Sequence, residues 1–331
     1  MNARGSCAKT ADLVRALEAS VAGDVTIVER FPSLYRSTFP LEVLSVRMPD
    51  GMVRSLVFKD LSRTGPTDPA WQIKAPFLHD PMRELEVYRE VLAPSGLSVP
   101  DCVAIVMQPD QGRYWLFLEK VEGDPLWQIG EMDLWRRAAE WLADMHTRFA
   151  GSTQALPSRL LIHDREYHQR WVDRAMSFTR LPRASNGNGS ELDWLAACCQ
   201  RAVDWLIEQP ITFLHGEFYP SNLIIQRTAE TIRVCPVDWE MAGRGPGVVD
   251  LAALASGAWD DTERETIVSA YLKALPAGLR PSPEALSEGL DRTRLLLAVQ
   301  WLGWSPDWTP PPEHDHDWMA TAMKLAETLE P

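Results

Sequence analysis

Phe213-Leu-His-Gly-Glu-Phe-Tyr-Pro-Ser-Asn-Leu-Ile-Ile225, with its sequel Val234-Cys-Pro-Val-Asp-Trp-Glu240, is the stretch from which the fold can be read. An apolar run enters a short polar loop, His215 to Asn222, and Leu223-Ile-Ile leaves it as a buried strand. A second apolar run, Val234 to Val237, delivers Asp238. The pattern predicts a hairpin that gathers three acceptors, Glu217, Asn222 and Asp238. Ionised carboxylates beside an amide oxygen suit a hard cation such as Mg2+, and one carboxylate remains to orient an attacking hydroxyl.

Upstream, Leu13, Ala16, Leu17 and Val21 are spaced as one face of a helix over 9–22. Strand-like runs follow over 25–30, 41–48 and 52–59, the last two joined by the tight turn Pro49-Asp50-Gly51. A small antiparallel sheet is expected, its third strand ending in Lys59. Asp80 then caps a helix with Pro81 in its first turn. Leu85, Tyr88, Val91 and Leu92 form the apolar face of that helix; Glu84 falls within the stripe, whereas Glu86 and Glu90 fall outside it. A carboxylate that points into the core needs a cation, and Lys59 is the candidate partner for Glu84. The segment 62–79, with its three prolines, reads as a loop without an assigned role.

The pattern H-G-E-x-x-x-x-N followed by V-D-W-E resembles the aminoglycoside phosphotransferase and choline kinase group, small-molecule relatives of the protein kinases. That group usually reads H-G-D-x-x-x-x-N and then I-D-[WF]-E, whereas a protein kinase carries H-R-D and D-F-G. The resemblance implies an α+β, protein kinase-like fold of two lobes. Residues 1–118 would form a small antiparallel sheet lobe, 119–123 a hinge, and 124–331 a larger, mostly helical lobe. It implies ATP- and Mg2+-dependent phosphorylation of a hydroxyl on a small molecule: an aminoglycoside-like antibiotic, an amino alcohol or a sugar. Lys59, fixed by Glu84, would hold the ATP phosphates. Asn222 and Asp238 would bind Mg2+, and Glu217 would orient or deprotonate the hydroxyl. Tyr114 to Gly123 looks like the group's L-L-L-E-x-x-x-G link between lobes, whose backbone pairs with adenine, so Glu119 to Val121 are marked by position. Asp250 matches an aspartate that braces the catalytic loop, and His146 reads as a core histidine bonded to backbone beneath it.

Two departures from the group's pattern bear on function. Phe31 to Pro40 contains no glycine, so phosphate contacts there are expected from backbone amides and the hydroxyls of Ser33, Ser37 or Thr38. Glu217 stands where the group usually has aspartate, one methylene longer. That leaves two readings, a site reshaped around a working glutamate or a kinase-like nucleotide-binding module with impaired activity.

At 331 residues the chain is long enough for two lobes and a sizeable core. The net charge of −13 argues against nucleic acid or an acidic membrane as partner. The first residues, Met-Asn-Ala-Arg-Gly-Ser-Cys, lack the apolar stretch of a signal peptide, and no run of 18 apolar residues occurs; a cytoplasmic, soluble protein is expected. The five cysteines are scattered without metal spacing and read as reduced thiols. His314-Asp-His316 reads as the solvated start of a helix. The tryptophans around 301–318, part of a total of fourteen, are candidates for a substrate wall.

Overall fold

The computed structural model describes residues 8–33, 39–62, 74–151, 156–179, 189–257, 259–304 and 316–329. Helix α1 (Thr10–Glu18) leads into a five-stranded antiparallel sheet of β1 (Thr26–Pro32), β2 (Leu41–Arg47), β3 (Val53–Asp60), β4 (Cys102–Gln108) and β5 (Arg113–Glu119). The order across the sheet is β1-β2-β3-β5-β4. The β2–β3 turn falls where Pro49-Asp50-Gly51 placed it: Gly51 takes φ 82°, and the Asp50 carboxylate accepts the Met52 N–H at 2.9 Å. Side-chain alternation then decides the two faces. Leu44, Val46, Leu56, Phe58, Trp115 and Phe117 turn to Leu13 and Leu17 of α1. Leu116 and Leu118, on the other face of β5, join the main core. Each such buried side chain contributes roughly 2 kcal/mol.

The helix between β3 and β4 begins with α2 (Arg83–Glu86), widens into a π-helical stretch over Val87–Leu92 and tightens again over Ala93–Ser95. The expected cap is not formed: the helix starts later than Asp80 and Pro81 suggested, with Met82 as its N-cap and no side chain capping it, while the Asp80 carboxylate accepts the Met82 N–H at 3.0 Å in the turn that precedes it. Leu85, Tyr88, Val91 and Leu92 are all buried.

Beyond β5 the chain passes Gly123, where an added Cβ would lie 2.2 Å from the Ile225 carbonyl oxygen; only glycine permits this approach. It then forms β6 (Asp124–Pro125) and the long helix α3 (Met132–Phe149), which buries Leu134, Ala138, Leu142, Met145 and Phe149. Then come β7 (Leu161–Ile162), α4 (Arg165–Thr179), α5 (Gly189–Leu206) and the strands β8 (Ile211–Leu214), β9 (Leu223–Arg227), β10 (Ile232–Pro236) and β11 (Gly243–Pro246). The end of the chain is helical: α6 (Val248–Leu254), α7 (Asp261–Ala274), α8 (Pro283–Leu302) and α9 (Trp318–Leu329). Helix α8 is the central rod, packed against α4, α5, α6 and α9. Two three-stranded sheets, β10-β9-β6 and β7-β11-β8, hold the segments on either side of the His215–Asn222 loop. No helix among the described residues is long and apolar enough to cross a membrane.

Candidate active site

The loop that follows β8 is held from below. Asp250, fully buried in α6, accepts the backbone N–H of His215 at 2.7 Å and of Gly216 at 2.9 Å. Gly216 takes φ 84°, and an added Cβ would meet the Met241 carbonyl oxygen at 2.1 Å. The buried His215 ring accepts the Glu217 N–H through Nδ1 at 3.3 Å and donates from Nε2 to the Val237 carbonyl at 3.0 Å. Those two bonds require the neutral tautomer protonated at Nε2, and burial accordingly holds this histidine below its ordinary pKa.

The β9–β10 hairpin forms as the sequence indicated, with Leu223 opposite Pro236. One further ladder bond, from the Val237 N–H to the Asn222 carbonyl at 2.9 Å, brings Asn222 and Asp238 to the same open end. The Asn222 amide donates from Nδ2 to the Glu217 carbonyl oxygen at 3.0 Å, which leaves Oδ1 as its acceptor atom. Asp238 has φ 65° and is the single non-glycine residue with positive φ among the described residues. Aspartate tolerates this left-handed conformation better than most residues, but strain of about 1–3 kcal/mol persists only where surrounding structure enforces it.

That enforcement comes from Lys59. Its Nζ lies 2.7 Å from Glu84 Oε2 and also donates to Asp238 Oδ1. The Trp239 N–H donates to Glu84 Oε1 at 3.2 Å and locks the carboxylate from its other side. The choice of Glu84 over Glu86 therefore holds; Glu86 turns outward to Arg159. Burial disfavours the charge on Lys59, but the carboxylates of Asp238 and then Glu84 outweigh it and raise its pKa. Burial likewise opposes the charge on Asp238, and Lys59 reverses the balance, so that Asp238 stays ionised below the usual carboxylate range. For Glu84 burial wins over the pull of Lys59, and its pKa rises.

A second buried ion pair stands beside the first. Lys74 Nζ is 2.7 Å from Glu240 Oε2, with side chains only 3% and 9% exposed. Glu217 sits among these charges. Desolvation, then Glu240 and Asp238, push its carboxyl up to about 8, against the pull of Lys74 and Lys59. Arg83, also buried, ties the segments together by donating to the carbonyls of Leu78, Arg159 and Glu240 at 3.0, 2.8 and 2.7 Å.

Lys59, Glu84 and Asp238 thus form one ion-pair cluster, and Asn222, bonded through its amide to the Glu217 carbonyl, is tied to the chain beside Asp238 by the Val237 N–H. Glu119 is not part of this cluster. Its carboxylate pairs with Arg233 at 2.7 Å and accepts the Asp101 N–H, which secures the end of β5. Val121 lies half-buried just beyond that strand. Ser33 is buried and its N–H bonds to the Leu41 carbonyl, while Ser37 and Thr38 lie outside the described residues. His146 is in the core, but its ring meets side chains rather than backbone: Tyr271 Oη at 2.9 Å and Asp250 at 3.4 Å.

Sequence reasoning missed Lys74, Glu240 and Arg83. The signal for Lys74 was a lone ammonium before Ala-Pro-Phe-Leu, an apolar run that offers a charge no solvent. At the C-terminal end, His314 and Asp315 lie outside the described residues, and the His316 ring meets Thr321 Oγ1 at 2.6 Å. Trp301 stacks on Trp318, and its ring lies 5.5 Å from that of Tyr219 in the His215–Asn222 loop.

The donor set fits a hard cation in one respect. An ionised carboxylate, Asp238, and an amide oxygen, that of Asn222, stand at the same end of the β9–β10 hairpin, the kind of oxygen pair that holds Mg2+ together with phosphate oxygens and waters. No group of three or more His, Cys, Asp and Glu side chains arranged for a metal occurs among the described residues, so the protein alone offers no closed cage.

Residues 72–288, about two thirds of the chain, match the model of the phosphotransferase enzyme family. No curated protein matches the sequence. Solved structures similar in fold include a GDP complex of an aminoglycoside 2'-phosphotransferase-IIIa mutant, with TM-score 0.60, 13% identity and 97% of each chain covered. Choline kinase from Cryptosporidium parvum Iowa II superposes with TM-score 0.60 and 16% identity, over 97% of this chain and 94% of that one. A microcompartment-associated aminopropanol kinase gives TM-score 0.60 and 16% identity, over 96% and 94%. The fold is therefore the two-lobed, protein kinase-like one, a small antiparallel sheet region joined to a larger, mostly helical region, and the chain belongs to the phosphotransferase enzyme family.

Proposed function

We propose that the chain transfers the terminal phosphoryl group of ATP to a hydroxyl of a small molecule, with Mg2+ required. The observation that carries this reading is the Lys59 ammonium held between Glu84 and Asp238, on the hairpin that also bears Asn222 and Glu217. Lys59 holds the nucleotide phosphates, and Glu84 keeps its ammonium in place. Asn222 and Asp238 hold the cation, which neutralises charge on the phosphates when bound. Glu217 accepts the hydroxyl proton as the new O–P bond forms and the bond to the nucleotide breaks. Its carboxyl, pushed up to about 8, is matched to proton uptake near neutral pH. Positioning and charge neutralisation lower the barrier, with no covalent intermediate on the protein.

The names of the structural neighbours, an aminoglycoside phosphotransferase, a choline kinase and an aminopropanol kinase, favour a small acceptor with a hydroxyl. In this reading the nucleotide enters a cleft between the sheet region and the helical region. In this reading residues 1–118 and 124–331 are its two lobes, 119–123 is the hinge, and the backbone from Glu119 to Val121 faces the adenine. The connected network around Lys59 supports a working enzyme over a module that only binds nucleotide.

The test is ADP release by the purified protein across a panel of aminoglycosides, amino alcohols, sugars and macrolides, with and without Mg2+. Acceptor-dependent, Mg2+-dependent ADP release is expected. A protein that binds no nucleotide and releases no ADP with any acceptor refutes the reading.

A further inference from the structure

We propose that Lys74 is a second phosphate-binding lysine, aimed at the terminal phosphoryl group and held in place by Glu240. The proposal rests on the phosphotransferase reading and adds to it a residue from a segment that the family motifs do not mark.

The argument starts from a repeated arrangement. Lys59 and Lys74 are both buried lysines, each with a glutamate oxygen 2.7 Å from its ammonium: Glu84 for Lys59, Glu240 for Lys74. Both ammonium groups lie 5.8 Å from the centroid of one ring, that of Phe39, so twice that distance bounds the gap between them. Phe39 is itself buried and stands just before β2, on the connection from β1. The two lysines reach this ring from different parts of the chain, one from the end of β3 and the other from the segment before α2. Lys74 also acts on the chemistry between them, since its charge favours the ionised forms of Glu217 and Asp238.

Burial makes the Lys74–Glu240 pair expensive as mere scaffolding. Two charges lose their hydration, and an apolar pair of similar volume commonly serves a fold as well or better. An ammonium has three N–H donors in a compact, rotatable head. One carboxylate orients that head and leaves donors for further oxygens. A phosphoryl group in transfer spreads charge over three equatorial oxygens, and fixed cations beside it stabilise that charge without reorganising. Lys59 serves the phosphates that remain on the nucleotide. Lys74, paired with Glu240 and close enough for its charge to act on Glu217, serves the one that leaves. Lys74 exchanges no proton in the step, whose proton passes from the acceptor hydroxyl to Glu217.

The experiment compares ADP with a non-hydrolysable ATP analogue by isothermal titration calorimetry in the presence of Mg2+. Removing Lys74 alone would strand Glu240, so the pair is replaced together as Lys74→Met with Glu240→Leu, and Lys74→Arg is the charge-retaining control. The double variant is expected to bind the triphosphate analogue at least 10-fold more weakly than wild type, and ADP within about 2-fold. Lys74→Arg should recover most of the triphosphate affinity. Lys59→Met should weaken both ligands. Unchanged preference for triphosphate over diphosphate in the double variant overturns the role of Lys74 while leaving the phosphotransferase reading intact. Equal weakening of both ligands, with a lowered melting temperature, assigns the pair to the fold and also overturns it. A wild-type protein that binds neither ligand overturns both.

Discussion

The carboxylate of Asp250, sealed from solvent, receives the backbone N–H of His215 at 2.7 Å, and its second oxygen receives that of Gly216. The loop geometry thus depends on a residue far along the chain. Asp250→Ala would leave two buried N–H groups without acceptors, at about 1–3 kcal/mol each. Denaturant unfolding should show a loss of about 2–5 kcal/mol, and ADP release should fall with it.

Lys59 neutralises two carboxylates at once. Lys59→Met is expected to destabilise the protein by about 3–5 kcal/mol, because breaking a buried pair strands its partner. The double variant Lys59→Met with Glu84→Leu should regain part of that stability, yet nucleotide binding should stay weak in both. Melting curves beside calorimetric titration of Mg-ATP separate the two effects. Recovery of nucleotide affinity in the double variant would remove Lys59 from the phosphate site.

Glu217 tests whether the longer acid is a working base. Glu217→Asp draws the carboxylate back by about one C–C bond, and misplacement on that scale costs up to ~100-fold. A fall in kcat of ~10- to 100-fold, about 1.4–2.7 kcal/mol of barrier, is expected in steady-state ADP release. Glu217→Gln should keep nucleotide affinity and lose transfer. A faster Glu217→Asp enzyme would mean that the glutamate marks impaired activity.

His163 and His168 set an acid limit on stability. Burial, with His168 and Arg83 adding to it, drives His163 well below its ordinary value. Burial pushes His168 down to about 4 against the pull of Asp164. Between pH 6.5 and about 4 the unfolded imidazoles bind protons that the folded ones refuse, so the contribution of these two histidines is complete above 6.5 and is lost as the pH drops through this window, while the raised carboxyl of Glu217 acts in the opposite direction. His168 alone accounts for roughly 3 kcal/mol at 1.36 kcal/mol per pKa unit. Urea unfolding of wild type and His168→Gln at pH 7.5 and 4.5 isolates the histidine's share: the stability gap between the two proteins should change by roughly 3 kcal/mol between these pH values.

Much of the sheet and the hairpin was legible because period-2 alternation and the Pro49-Asp50-Gly51 turn are local signals. Glu84 was legible too, since a carboxylate inside an apolar stripe must find a cation. Lys74 was not, because its partner Glu240 lies 166 positions away and the segment before it carries no periodicity. The partners of His146 were misjudged for a similar reason: Tyr271 comes from α7, and nothing near His146 in sequence announces it. Glu119 was marked by position alone, and its ion pair with Arg233 of β10 is set by strand packing that spacing does not encode.

Arg83 adds a consequence for control of the activity. In protein kinases the helix that carries the glutamate partner of the lysine swings, and that movement is a switch. Here Glu84 directly follows a guanidinium that grips the carbonyls of two distant segments, at Arg159 and Glu240, and of Leu78 just before the helix. Swinging the helix out would break the two long-range charge-assisted bonds together, at about 1.5–3 kcal/mol each, and would bare a buried cation. The helix that carries Glu84 is thereby pinned to the segments at Arg159 and Glu240, and a swing of that kind is closed to it.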